Sequence, residues 1–124
     1  MNRLNRRNIN LVTIAIPVFN GGEYLKEAIE SVINQDYKDL EILISDNASS
    51  DDTEEICRNY SQIDNRIKYI RQKKNIGAIN NFIFLLEKAN GKFFSWCASD
   101  DKFLSKNLIS KSVSVIKENN CSAC

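Results

Sequence analysis

A chain of 124 residues is long enough for one domain or part of one. With 43% hydrophobic residues, 27% charged residues and a net charge of +1, it has the composition of an ordinary globular protein and no electrostatic case for nucleic acid or another polyanion. It contains no histidine, which excludes His-based acid/base catalysis, Ser-His triads and His-ligated zinc.

Residues 1–8 read as a polar leader carrying Arg3, Arg6 and Arg7, with no apolar core of signal-peptide length behind it. No run is apolar and long enough to cross a bilayer, so the expectation is a cytoplasmic protein, with peripheral attachment to the inner face of a membrane left open. The first strand is expected over residues 11–16, where β-branched and apolar residues follow one another as in a strand buried on both faces. Pro17 is expected to end it, and Phe19, Asn20, Gly21 and Gly22 to form the turn. From Glu23 the period changes: Leu25, Ala28, Ile29, Val32 and Ile33 share one helical face, with Lys26, Glu27 and Glu30 opposite.

Gln35, Asp36 and Tyr37 break this helix, and residues 40–45 form a second strand around Ile42, Leu43 and Ile44. Strand, helix and strand imply a right-handed crossover and a parallel pair. A polar stretch from Asp46 to Thr53 leads into a helix reaching about Gln62, its start marked by small polar caps and early acids. Residues 67–71 alternate in polarity as an edge strand does. Asn75, Ile76 and Gly77 then turn into a helix whose expected buried face is Ile79, Phe82, Ile83 and Leu86. A fourth strand is expected over residues 93–98, and a last helix over about 107–118. Alternation of this kind is the pattern of a doubly wound α/β unit, and the strand order assumed for it is 3-2-1-4. Residues 121–124 resemble the opening of a fifth strand, so the expectation is a truncated sheet, a fragment or a short member of its class.

Cys57 and Cys97 fall in apolar, core-like positions, whereas Cys121 and Cys124 form a lone C-x-x-C, a poor zinc or redox signal. The polar clusters are more informative, because each follows a strand, and parallel strands bring those ends to one edge of the sheet. With order 3-2-1-4 the chain reverses between the first and fourth strands, opening a crevice beside Phe19 and Asp100. Asp100 and Asp101 end an apolar, aromatic run. Two adjacent carboxylates repel, and a hard divalent cation such as Mg2+ or Mn2+ would keep both ionised. The plainer reading is that they open the following helix.

The first βα turn is not G-x-G-x-x-G and no P-loop sequence occurs, so a bound diphosphate would need another means of neutralisation. A cation on Asp100 and Asp101 would supply it. Asp46 and Asn47 offer an acceptor and an amide suited to a base edge or ribose hydroxyls, while Asp51, Asp52 and Glu54 are explained as caps and first-turn acids. Phe93, Phe94 and Trp96 could stack a sugar or base, but alternate residues of a strand buried on both faces are more often core; Asn75 and Asn81 could reach a ligand, yet Asn75 is equally a residue at the entry to a helix.

Taken in order, Pro17-Val18-Phe19-Asn20, Gln35-Asp36-Tyr37, the run from Glu41 through Asp46-Asn47 to Thr53, Asn75-Ile76-Gly77, and the run from Ala89 to Asp100-Asp101 resemble the family 2 glycosyltransferases. The resemblance covers residues 9–124 and implies the nucleotide-sugar-binding half of a GT-A domain. It implies an inverting enzyme that uses a nucleotide-diphospho-sugar, often UDP-linked, held on Mn2+ or Mg2+, with a glycan or lipid-linked acceptor in polysaccharide or glycolipid synthesis. By matching positions, Pro17 and Phe19 would line the base, Asp46 and Asn47 would contact uracil and ribose, Asn20, Asn75 and Asn81 would lie near the donor, and Asp100 would hold the metal beside Asp101. Ala98 stands where the first aspartate of the D-x-D motif is expected, and Asn47 where many members carry aspartate. The acceptor half and an acidic catalytic base would lie beyond Cys124, so the alternative is a non-catalytic nucleotide-binding fragment. A receiver-like signalling domain shares the alternation, but it needs acids after the first strand, where this chain has Pro17-Val18-Phe19-Asn20.

Overall fold

The structure, a computed structural model, describes residues 9–118. The leader at residues 1–8 and the expected fifth strand with its C-x-x-C pair lie outside the described residues. Four strands alternate with four helices: β1 Val12–Val18, α1 Gly22–Ile33, β2 Leu40–Asp46, α2 Thr53–Ile63, β3 Ile67–Arg71, α3 Ala78–Lys88, β4 Phe93–Trp96 and α4 Leu108–Glu118. The strands form one parallel sheet in the order β3-β2-β1-β4, as assumed from the sequence.

Alternation along the strands divides the core between two faces. Val12, Ile14, Ile16 and Val18 of β1 join Ile42 and Ile44 of β2 under α1, α2 and α4. Ala15 and Leu43 point the other way and meet only Leu85 of α3, with Ala89 and Phe94 beside it. Because one face carries a single helix among the described residues, α3 departs from its sequence pattern. It buries Asn81 and Leu85, while Ile79, Phe82, Ile83 and Leu86 remain exposed. Asn81 is drawn inward by polar need: its side chain accepts from Ser45 Oγ at 2.5 Å and donates to the Ser45 carbonyl at 3.0 Å.

Pro17 does not end the first strand, which runs on to Val18 in register with Ser45 and Asp46. The Ala15 carbonyl accepts from the Cys97 N–H, and that of Val18 from Asn47, so odd positions of β1 face β4 and even positions face β2. At position 17 the β4 side has already ended at Trp96, and the missing N–H of proline breaks no ladder bond. β1 and β2 therefore reach further than β4, and the space above Trp96 is left open.

Two polar clamps hold the margins. Buried Gln35 accepts from the Ile109 N–H at 3.1 Å and donates to the Ser105 carbonyl at 2.6 Å, so the residue that breaks α1 also caps α4. On the opposite face, buried Glu41 accepts from Thr13, Lys68 and both the backbone and side-chain nitrogens of Asn90. Burial opposes its ionisation, but the donors of Asn90, Lys68 and Thr13 together outweigh burial and hold the carboxyl at about 2.

Candidate functional site

Where β1 outruns β4, a cavity of about 750 Å³ opens at the C-terminal edge of the sheet. This is the switch point at which ligands of open α/β sheets bind. Pro17, Phe19, Asn20 and Gly21 form one wall, Ala98, Ser99 and Asp100 another, and Tyr24, Phe82 and Trp96 complete it. A smaller pocket of about 150 Å³ shares Pro17, Phe19 and Phe82 and is lined further by Asn47 and Asn81. Of the residues expected from sequence, Pro17, Phe19, Asn20 and Asp100 meet in the larger cavity, and Asn47 and Asn81 in the smaller one.

Asp46, Asn75 and Asp101 line neither. As an even-numbered partner of Val18, Asp46 points to the α1–α2 face, where it is fully buried. Its carboxylate accepts from Tyr69 Oη at 2.6 Å, Arg71 at 3.1 Å and the Ser49 N–H at 2.9 Å. Burial, and then this carboxylate, push the Tyr69 hydroxyl well above its ordinary range. Arg71 is also close to Glu54 and is committed to this cluster. Asn75 turns its side-chain oxygen back to the Gly77 N–H at 2.8 Å, closing the turn before α3, where Gly77 adopts φ 87°. Asn47 reaches the same turn, accepting from the Ile76 N–H at 2.8 Å.

The loop holding Phe19 is supported from β2's side. Asn20, at φ 52°, donates its N–H to Ser49 Oγ at 2.8 Å, and the Gly21 N–H donates to Thr53 Oγ1 at 3.0 Å. Thr53 Oγ1 in turn donates to Asp51 at 2.5 Å. Burial raises the Asp51 carboxyl, but bonds from Thr53 and the Gly22 backbone outweigh it and hold the group below its usual range. Asp51 therefore serves the starts of both α1 and α2, a role that its local sequence as a first-turn acid does not reveal. A Cβ on Gly21 would lie 2.7 Å from the Val18 side chain, so the turn needs glycine at that point.

Asp100 presents an exposed carboxylate to the cavity and makes no side-chain hydrogen bond or ion pair among the described residues. Asp101 is exposed beside it, one oxygen accepting from the Lys102 N–H at 2.7 Å. No cluster of three or more metal-ligating side chains occurs among the described residues. This donor set does not fit a closed protein cage. It fits a hard cation that takes most of its oxygens from phosphate and water. Among the described residues the cysteines offer no alternative site: Cys57 and Cys97 are buried, and burial pushes their thiols up to about 12 and about 11.

Phe19 lines the cavity as expected, whereas sequence reasoning does not single out Tyr24 and assigns Phe82 and Trp96 to the core. Phe19 is 51% exposed, Tyr24 69% and Trp96 39%. Phe93 is buried in the core as expected, whereas Trp96, on the same strand, is a cavity residue. The signal lay in the length difference between the first and fourth strands, which becomes visible only once their register is known.

Comparison with known proteins agrees with this architecture. Residues 13–124 match glycosyl transferase family 2. Among curated relatives, the Campylobacter jejuni GalNAc(5)-diNAcBac-PP-undecaprenol beta-1,3-glucosyltransferase is 41% identical over 76% of this chain and 31% of its own length. Glycosyltransferase GlyG of Streptococcus pneumoniae is 31% identical over 80% of this chain and 33% of its own length. The chain thus spans about a third of the length of these relatives. Among solved structures, S. aureus TarS superposes with a TM-score of 0.80 at 25% identity, covering 88% of this chain and 20% of TarS. The mannosyltransferase PcManGT from Pyrobaculum calidifontis, in complex with GDP-Man and Mn2+, shares the fold with a TM-score of 0.78 at 20% identity, covering 85% of this chain and 32% of that one. The parallel sheet in order β3-β2-β1-β4, with its cavity between β1 and β4, has the GT-A fold, and the chain belongs to glycosyl transferase family 2.

Proposed function

We propose that this chain is the donor-binding half of an inverting glycosyltransferase that takes a sugar from a UDP-linked donor to the hydroxyl of a glycan or lipid-linked acceptor in polysaccharide or glycolipid synthesis. The observation that carries the reading is the meeting of Pro17, Phe19 and Asp100 in one cavity at the switch point of the sheet. The related TarS fragment binds UDP-GlcNAc, which supports a UDP-sugar, and the C. jejuni relative's name specifies a lipid-linked glycan. Peripheral attachment to the inner face of a membrane is part of this reading, and no helix among the described residues is long and apolar enough to cross one.

In this reading Phe19 covers one face of the base, Pro17 forms the floor beside it, and the Asn47 and Asn81 pocket receives the base edge. Asn20 holds the loop bearing Phe19, and Asn75 sets the turn against which Asn47 is fixed. Asp46 acts from beneath, anchoring Tyr69, Arg71 and the Ser49 N–H. Asp100, with Asp101 beside it, would hold Mn2+ or Mg2+, which when bound offsets the charge of the departing diphosphate. Among the described residues no other charged side chain lines the larger cavity, so neutralisation of a diphosphate is assigned to a cation on Asp100.

Calorimetry on the chain with UDP and UDP-GlcNAc, with and without Mn2+, tests this. Metal-dependent binding that disappears in Asp100→Ala is the expected result, and metal-independent binding or none in a folded sample overturns it. A second reading is favoured by one observation: among the described residues Asp100 is the single carboxylate on the cavity wall, leaving none there to deprotonate an acceptor. On that reading the chain alone binds donor without transferring it, and turnover by the isolated chain rules it out.

A further inference from the structure

We infer that Trp96 is a sugar-contacting residue of this site, its indole forming the wall against which the donor's hexose ring lies. This rests on the donor-binding reading above. The smaller pocket, with Asn47 and Phe19, accommodates the base, and Asp100 marks the diphosphate, so the sugar is left with the remaining wall of the larger cavity. Trp96 lies on that wall with Tyr24 and Phe82. It is 39% exposed, although it sits in the sheet at the register of fully buried Ala15.

The indole is also pre-set. Phe82 of α3 meets it at a centroid distance of 4.8 Å and 87°, and Phe94 of β4 at 4.7 Å and 79°. Two near-perpendicular aromatic contacts from different elements fix its orientation before any ligand arrives, so little rotamer freedom remains to be lost on binding. A pyranose presents a face of C–H groups between its hydroxyls, and a rigid, partly open aromatic surface covers such a face without demanding charge. The uncharged aromatic wall suits a neutral hexose better than an acidic sugar, whose carboxylate would have only Asp100 for company.

The chain has one tryptophan, so its fluorescence reports this position alone. With Mn2+ present, emission is followed during titration with UDP, UDP-glucose and UDP-GlcNAc, and affinities are measured by calorimetry for the unaltered chain, Trp96→Ala and Trp96→Phe. The expected result is a shift in indole emission with the UDP-sugars that UDP alone does not produce. Trp96→Ala should weaken UDP-sugar binding about tenfold while moving UDP by less than about twofold, and Trp96→Phe should recover most of the loss. Equal weakening of UDP and UDP-sugar, or no weakening of either, overturns the inference while leaving the donor-binding reading intact. Failure of the unaltered chain to bind UDP at all removes that reading instead. Circular dichroism of each variant separates loss of binding from loss of fold, and Trp96→Phe keeps the test decisive if the alanine variant does not fold.

Discussion

The side-chain oxygen of Asn20 accepts the backbone N–H of Ser50 at 2.8 Å, while the backbone N–H of Asn20 donates to Ser49 at 2.8 Å. The two bonds run in opposite directions between the loop after β1 and the loop after β2, and they hold Asn20 at φ 52°. Asn20→Ala removes the acceptor and leaves a residue poorly suited to that backbone, a loss of about 1–2 kcal/mol in urea denaturation. Asn20→Gly tolerates the backbone but still lacks the acceptor, so its midpoint should fall between the two. Because the same loop carries Phe19, both variants should also weaken UDP binding, alanine more than glycine.

Thr53 is fully buried and links Asp51 to the Gly21 N–H just before α1. Thr53→Val has nearly the same shape but deprives the Gly21 N–H of its acceptor and Asp51 of a donor. The expected cost is about 1–3 kcal/mol. Amide exchange offers a specific check: the Gly21 N–H should exchange faster in the variant than the amides of α4, which are held independently by Gln35.

Glu41 makes stability depend on pH in a defined direction. Its carboxyl is held at about 2 against an ordinary 4.5, so the unfolded chain takes up its proton first as pH falls. The stabilisation it provides is therefore complete above its unfolded value, declines as pH drops below about 4.5, and is gone once the pH has passed below about 2. At neutral pH, Glu41→Gln should cost about 3 kcal/mol, because Lys68 and Asn90 lose the charge they surround. The gap between variant and unaltered chain, read from urea midpoints, should narrow between pH 4.5 and 2. A gap that stays constant over that window contradicts the assignment.

Gly91 lies beside this network, donating its N–H to Thr13 Oγ1 at 2.9 Å. An added Cβ would stand 2.6 Å from the Thr13 backbone nitrogen and 2.8 Å from the Phe93 carbonyl oxygen. Both obstacles are backbone, so neither can rotate aside. Gly91→Ala should destabilise by about 2 kcal/mol or more, with the loss concentrated in the β1–β4 pairing that frames the cavity.

The parallel alternation was legible because strand, helix and strand join by right-handed crossovers, but the order 3-2-1-4 is only one that such alternation allows, and the crevice beside Phe19 and Asp100 depends on it. What remained hidden depended on which way individual side chains point. Asp46 and Ser45 are neighbours in sequence, yet alternation sends Asp46 to the α2 face and Ser45 to Asn81, so a polar pair at a strand end is not automatically a pair of ligands. The periodicity of α3 assigned Ile79, Phe82, Ile83 and Leu86 to the core, but among the described residues α3 is the one helix on that face and no element lies beyond it to bury them against. Pro17 was misread as a terminator because its effect depends on which neighbour its nitrogen faces, and that neighbour, β4, stops short.

The two adjacent acids that sequence treats alike are placed differently. Asp100 is on the cavity wall without a partner among the described residues, whereas Asp101 is absent from that wall and spends one oxygen on the Lys102 N–H. Removing Asp100 should therefore abolish the effect of Mn2+ on UDP binding, a loss of about a hundredfold or more in apparent affinity at saturating metal. Asp101→Ala should cost less than about tenfold, through loosening of the Lys102 turn and a weaker local field. Asp100→Asn separates charge from shape, since an amide retains the size and an acceptor oxygen but not the negative charge. It should behave like the alanine variant if the cation is held by charge, and like the unaltered chain if Asp100 merely fills space. Titrating Mn2+ into each variant at fixed UDP distinguishes these outcomes, and equal losses at both positions would mean that the cation is shared between the two carboxylates.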